Sequence, residues 1–83
     1  MKKLTIMLKD INAVKDFVTK VSTFPFDVDL LTGRYIIDAK SIMGVLSLDL
    51  SSPLSLVIHS EQCDDILDEI GQYVIDDPKG SER

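Results

Sequence analysis

Ser41, His59, Cys63, Asp10 and a run of carboxylates between 61 and 77 are the side chains of this sequence with chemistry to offer. Ser41 stands before two apolar residues, Ile42 and Met43, at the expected first turn of a short helix. A serine there caps the helix, its hydroxyl accepting from an N–H two or three residues on. The same hydroxyl can serve as a phosphorylation switch, because phosphoserine adds about two negative charges that a helix dipole stabilises. His59 is the one histidine, and its strand phase opposes Leu54, Leu56 and Ile58, which points it at solvent as a surface residue. Cys63 falls in phase with Ile66, Leu67 and Ile70, as a small core residue does. Its neighbours Glu61, Asp64, Asp65 and Asp68 oppose a reactive thiolate. Seven acids and no base lie between 61 and 77. They read as the solvated face of a helix, with a docking surface for a basic partner as the alternative. Their spacing fits no calcium loop.

The chain has no glycine-rich phosphate loop, no Ser-His-Asp set, no HExxH and no CxxC. It is therefore expected not to be an enzyme and to need no metal or cofactor. Eighty-three residues, 45% of them apolar, make one modest core and no deep cleft. The net charge of −5 argues against phosphate-tracking nucleic-acid contacts and against docking on anionic membranes. A lone cysteine allows no internal disulfide, and no apolar run reaches membrane length. The basic start, Met1-Lys2-Lys3, is followed by too short an apolar stretch for a secretion signal. A cytoplasmic location is expected.

Several elements must position these residues. Leu4, Ile6 and Leu8 alternate with Thr5, Met7 and Lys9, a strand with one buried face. From Ile11 the period changes, and Ile11, Val14, Phe17, Val18 and Val21 form one helical stripe. Asp10 is placed to cap that helix, and Asp16 with Lys20 makes an i,i+4 pair in the favourable order. Phe26, Val28 and Leu30 mark a second strand, Thr32-Gly33 a turn, and Tyr35 to Asp38 a third strand. A short helix is expected over 41–48, a fourth strand from Leu54 to His59, and a last helix over 62–74. The expectation is a single domain over 1–75 with a polar tail, 76–83. The fold class expected is α+β: a four-stranded, mainly antiparallel sheet in the order β-α-β-β-α-β-α, with helices on one face.

The segment Ala39-Lys40-Ser41-Ile42-Met43-Gly44-Val45-Leu46-Ser47-Leu48 resembles the regulatory-serine segment of HPr, the small phosphocarrier of the bacterial sugar phosphotransferase system. The order of elements is also similar to the HPr open-faced β-sandwich. This resemblance implies that Ser41 is similar to the serine that a dedicated ATP-dependent kinase modifies in low-GC Gram-positive bacteria. It implies a partner-contact face made of Ile42 and Met43, with Lys40, Asn12 and part of the first helix. HPr proteins carry Gly-[Ile/Leu]-His-Ala-Arg-Pro at the start of that helix, where the histidine accepts phosphate from Enzyme I. Counted without gaps, Asp10 takes the place of that histidine, Asn12 of the arginine and Ala13 of the proline. An imidazole nucleophile and the cation that holds the phosphoryl oxygens are thus both replaced.

One branch of the family, Crh, is similar in this respect. It lacks the histidine, keeps the serine and acts as a phosphoserine-dependent co-regulator in catabolite control. By resemblance, the partners are proteins: an HPr kinase-like enzyme or a transcriptional regulator. Two alternatives stand beside this regulatory reading. One is a phosphocarrier using Asp10 as an acyl-phosphate site; the other is a small-molecule-binding domain of the ACT or ferredoxin-like kind.

Overall fold

A computed structural model describes residues 1–76. Strand β1 (Lys2–Ile6) leads to helix α1 (Ile11–Ser22), followed by strands β2 (Val28–Thr32) and β3 (Tyr35–Asp38). Helix α2 (Ile42–Leu46), strand β4 (Leu54–Ile58) and helix α3 (Asp64–Ile70) come next. A 3₁₀ turn (Gly71–Tyr73) and strand β5 (Val74–Asp76) complete the described chain. The strands lie in the order β3-β2-β4-β1-β5, and every neighbouring pair is antiparallel. The fold is α+β, with the helices packed on one face of the sheet.

Period-2 burial explains that face. Leu4 and Ile6 of β1, Val28 and Leu30 of β2, and Leu54, Leu56 and Ile58 of β4 all point into one core. They meet Val14, Phe17, Val18 and Val21 of α1, Val45 of α2, and Ile66 and Ile70 of α3. Cys63 lies in the same cluster, in the role its phase implied. Among the described residues no buried side-chain nitrogen or oxygen lacks a hydrogen-bond partner, as a well-formed core requires.

The sheet has five strands rather than four. The helix expected to reach Val74 stops at Ile70, because Gly71 weakens helix continuation and Tyr73-Val74-Ile75 is a strand-favouring run. The open edge of β1 then supplies backbone partners: the Met7 N–H donates to the Tyr73 carbonyl at 2.8 Å, and Ile6 pairs with Val74. Asp76, expected to begin the tail, belongs to β5, and the rest of that tail lies outside the described residues.

Three smaller differences concern single positions. Ile11 heads the expected α1 stripe yet is 57% exposed, and the buried stripe begins one turn later at Val14. Val57 is buried although its phase puts it on the face away from the helices. It lies on the central strand β4, with Lys3 and Asp29 opposite it on either side. The β2–β3 loop is Gly33-Arg34, one residue later than expected, with Gly33 at φ +56°. A glycine first in a two-residue loop matches the right-handed strand twist at no steric cost.

Candidate functional site

Asp10 is the N-cap of α1, and its carboxylate accepts from the Ala13 N–H at 2.8 Å. An extended backbone at residue 10 and a free donor at N3 are what a capping aspartate needs. Beside it lies an open pocket of about 230 Å³, lined by Met7, Lys9, Asp10, Ala13, Gln72 and Tyr73. Asn12 is exposed on the same first turn. No residue of α2 enters this pocket.

A clamp holds the far wall of the pocket. The Tyr73 hydroxyl donates a short hydrogen bond to the Asp16 carboxylate. Lys20 Nζ lies 3.1 Å and Gln72 Nε2 3.2 Å from that same oxygen. The Tyr73 ring also meets Phe17 edge-on, with ring centroids 6.1 Å apart. The bond from Tyr73, then Lys20, holds the Asp16 carboxyl below the usual aspartate range. Desolvation first, then the Asp16 hydrogen bond and charge, pushes the Tyr73 phenol up to about 12. The i,i+4 pair of Asp16 and Lys20 was legible in sequence. Tyr73 was not, because it belongs to a segment whose phase read as helix.

The clamp has a pH signature. Tyr73 is raised in the fold, so its contribution is whole below pH 10.0 and is lost as pH climbs through about 12. Asp16 is lowered, so its contribution is present above pH 3.8 and is lost as pH falls through the lowered folded value. Tyr73→Phe is expected to flatten the alkaline fall in the urea midpoint. An unchanged slope between those two limits would show that the phenol does not sense the fold.

Ser41 is the N-cap of α2, and its Oγ accepts from the Gly44 N–H at 3.2 Å. Its own N–H donates to the Asp38 carbonyl at 3.0 Å, which ties the start of α2 to the end of β3. Ile42 and Met43 follow on the surface, with Met43 75% exposed. Lys40 turns the other way, and its ammonium donates to the Phe24 carbonyl at 2.6 Å. Its charge thus ties α2 to the loop after α1, and the exposed face beside Ser41 is mainly apolar.

Gly44 fits this corner for a packing reason. A Cβ there would meet Ile37 Cγ2 at 2.8 Å and Ser41 Oγ at 3.3 Å. Sequence alone marked this glycine only as a weak point of the helix. Gly44→Ala is expected to destabilise the fold by about 1–2 kcal/mol, the overpacking strain exceeding the gain of about 1 kcal/mol in helix propensity. Thermal unfolding of the variant checks this, and a raised midpoint would contradict it.

His59 lies at the end of β4 on the face away from the helices. There its Nε2 is 2.8 Å from Asp29 Oδ2 on β2. It is surface-exposed, but paired across the sheet with a carboxylate 30 positions distant, which no local spacing could reveal. Glu61, Asp64, Asp65 and Asp68 are exposed around the start of α3. No group of three or more metal-ligating side chains converges among the described residues. No described helix is long and apolar enough to cross a membrane.

This arrangement, two helix starts presented on one layer over an antiparallel sheet, defines an α+β open-faced sandwich. Solved structures place it more narrowly. The chain is similar to HPr-C-His from Thermoanaerobacter tengcongensis, with a TM-score of 0.73, 24% identity, and coverage of 87% of this chain and 89% of that one. It is similar to the phosphocarrier protein HPr from Bacillus anthracis, at TM-score 0.62 and 24% identity over 89% of this chain and 94% of that one. It is also similar to the catabolite repression protein Crh of Bacillus subtilis, at TM-score 0.58 and 24% identity over 87% of each chain. The fold is thus the one shared by HPr and Crh. No protein-family model matches the sequence, and no curated protein matches it significantly.

Proposed function

We propose that this chain is an HPr-like regulatory or interaction protein related to the sugar phosphotransferase system. In this reading Ser41 phosphorylation switches it, and it is neither a histidine phosphocarrier nor an enzyme. The observation that supports this best is Ser41 at the start of α2, directly followed by the exposed Ile42 and Met43. A kinase would move the γ-phosphoryl group of ATP to Ser41 Oγ, releasing ADP, while the hydroxyl proton passes to a base on the kinase. The phosphoserine would place its charge at the helix start and beside an apolar contact, which changes what that surface can bind. Ile42, Met43 and Asn12 form the contact face with part of the first helix, Lys40 of the expected set being held by the Phe24 carbonyl instead, and the partners are proteins in the cytoplasm, a kinase or a transcriptional regulator.

Carrier activity is disfavoured by Asp10. Its carboxylate is already charged and accepts from the Ala13 N–H, in the position where an incoming phosphoryl group would need donors. The sequence's one histidine is on the opposite face of the sheet, against Asp29. Incubation with Enzyme I and phosphoenolpyruvate is therefore expected to leave the mass of the protein unchanged. A base-labile phosphate mapped to Asp10 would instead establish the acyl-phosphate alternative.

A further inference from the structure

We propose that β3 is a self-complementary edge through which two copies of this chain pair as a two-fold dimer. The proposal does not rest on the reading of Ser41. β3 is an outer strand of the sheet, and two of its three exposed residues are large and apolar, Tyr35 at 68% and Ile36 at 69% exposure, the third being Asp38. The strand's four residues include no lysine or proline, and its pairing with β2 has no register shift, so the edge is guarded only by its shortness and by the charge of Asp38.

The backbone fixes which groups face outward. The Ala39 N–H donates to the Val28 carbonyl at 2.8 Å, so alternation turns the N–H and C=O of Tyr35 and Ile37 toward β2. The N–H and C=O of Ile36, and the N–H of Asp38, then point away from the sheet. The Asp38 carbonyl accepts from the Ser41 N–H, which leaves Ile36 as the freest pairing point.

Charge selects the register. Arg34 stands two residues before Ile36, and Asp38 two residues after it. Antiparallel pairing with Ile36 opposite Ile36 of the second copy sets Arg34 against Asp38 at both ends of the seam. The two isoleucines meet on the axis and exchange both backbone bonds, and Tyr35 faces Ile37 on the helix side. A two-fold axis repeats each contact, so one Arg–Asp pair implies the other. Shifting the register by two residues loses both pairs and leaves a chain of net charge −5 facing its like.

Sedimentation velocity tests this over about 10 μM to about 1 mM, the range where a short edge contact should show. The wild-type chain is expected to pass from monomer to dimer. Ile36→Lys should raise the dimer dissociation constant at least about tenfold. Arg34→Asp and Asp38→Arg should each weaken the dimer, and the double swap should restore it to within about threefold. Circular dichroism melts confirm that each variant is folded, and the charge swap decides the matter if Ile36→Lys is not. A wild-type chain that stays monomeric throughout overturns the proposal. So does a dimer indifferent to Ile36→Lys, or a double swap that regains nothing.

Discussion

Phe17→Ala is expected to lower the free energy of unfolding by about 3–5 kcal/mol, the usual cost of removing a fully buried aromatic ring. Phe17 is completely buried in the middle of α1, packed into the core and edge-on to Tyr73. Its loss opens a cavity between the helix layer and the sheet and removes one side of the Asp16–Tyr73 clamp. A domain of this length has roughly 4–12 kcal/mol in total, so one substitution consumes a large part of it. Ile11→Ala is the matched control. Both positions belong to the same helical stripe in sequence, but Ile11 is exposed and its truncation should stay within about 0.5 kcal/mol. Urea unfolding with an unchanged slope separates the two. Similar losses at both sites would mean that α1 is rotated on the sheet relative to this structure.

The second large effect concerns Ser41. Serine, aspartate and asparagine are all good N-cap residues, so Ser41→Asp and Ser41→Asn both keep the bond to the Gly44 N–H, while only the first adds charge. The difference between them isolates electrostatics from folding. For a partner that recognises the phosphorylated form, Ser41→Asp should bind at least about tenfold more tightly than Ser41→Asn, as charge-assisted hydrogen bonds allow. Ser41→Ala should remove phosphorylation altogether and cost about 1 kcal/mol of stability through the lost cap. Equal binding by the Asp and Asn variants would sink the switch.

Local patterns were the legible part of this molecule. The alternation in β1, the stripe of α1, and the caps at Asp10 and Ser41 each depend on residues within one turn or one strand of each other. What the sequence hid depends on distance along the chain. β5 exists because the free edge of β1 captures a run whose spacing also suits a helix. Val57 is buried because β4 is central, a property of the strand order and not of β4 itself. Tyr73 reaches Asp16 across 57 positions, and His59 reaches Asp29 across 30.

The two candidate centres differ in the same way. The two caps and the apolar pair beside Ser41 could all be read from consecutive residues. The pocket beside Asp10 could not, since Gln72 and Tyr73 form its far wall. Nor could the role of Gly44. Its hydrogen is needed because Ile37 of β3 approaches it, and that contact exists only once α2 folds back over the strand.

Phosphorylation by an HPr kinase with ATP, followed by intact mass and peptide mapping, tests the central claim most directly. The account predicts one phosphoryl group, located on Ser41 and absent from Ser41→Asn. No mass shift, or a phosphate mapped to any other residue, would contradict it.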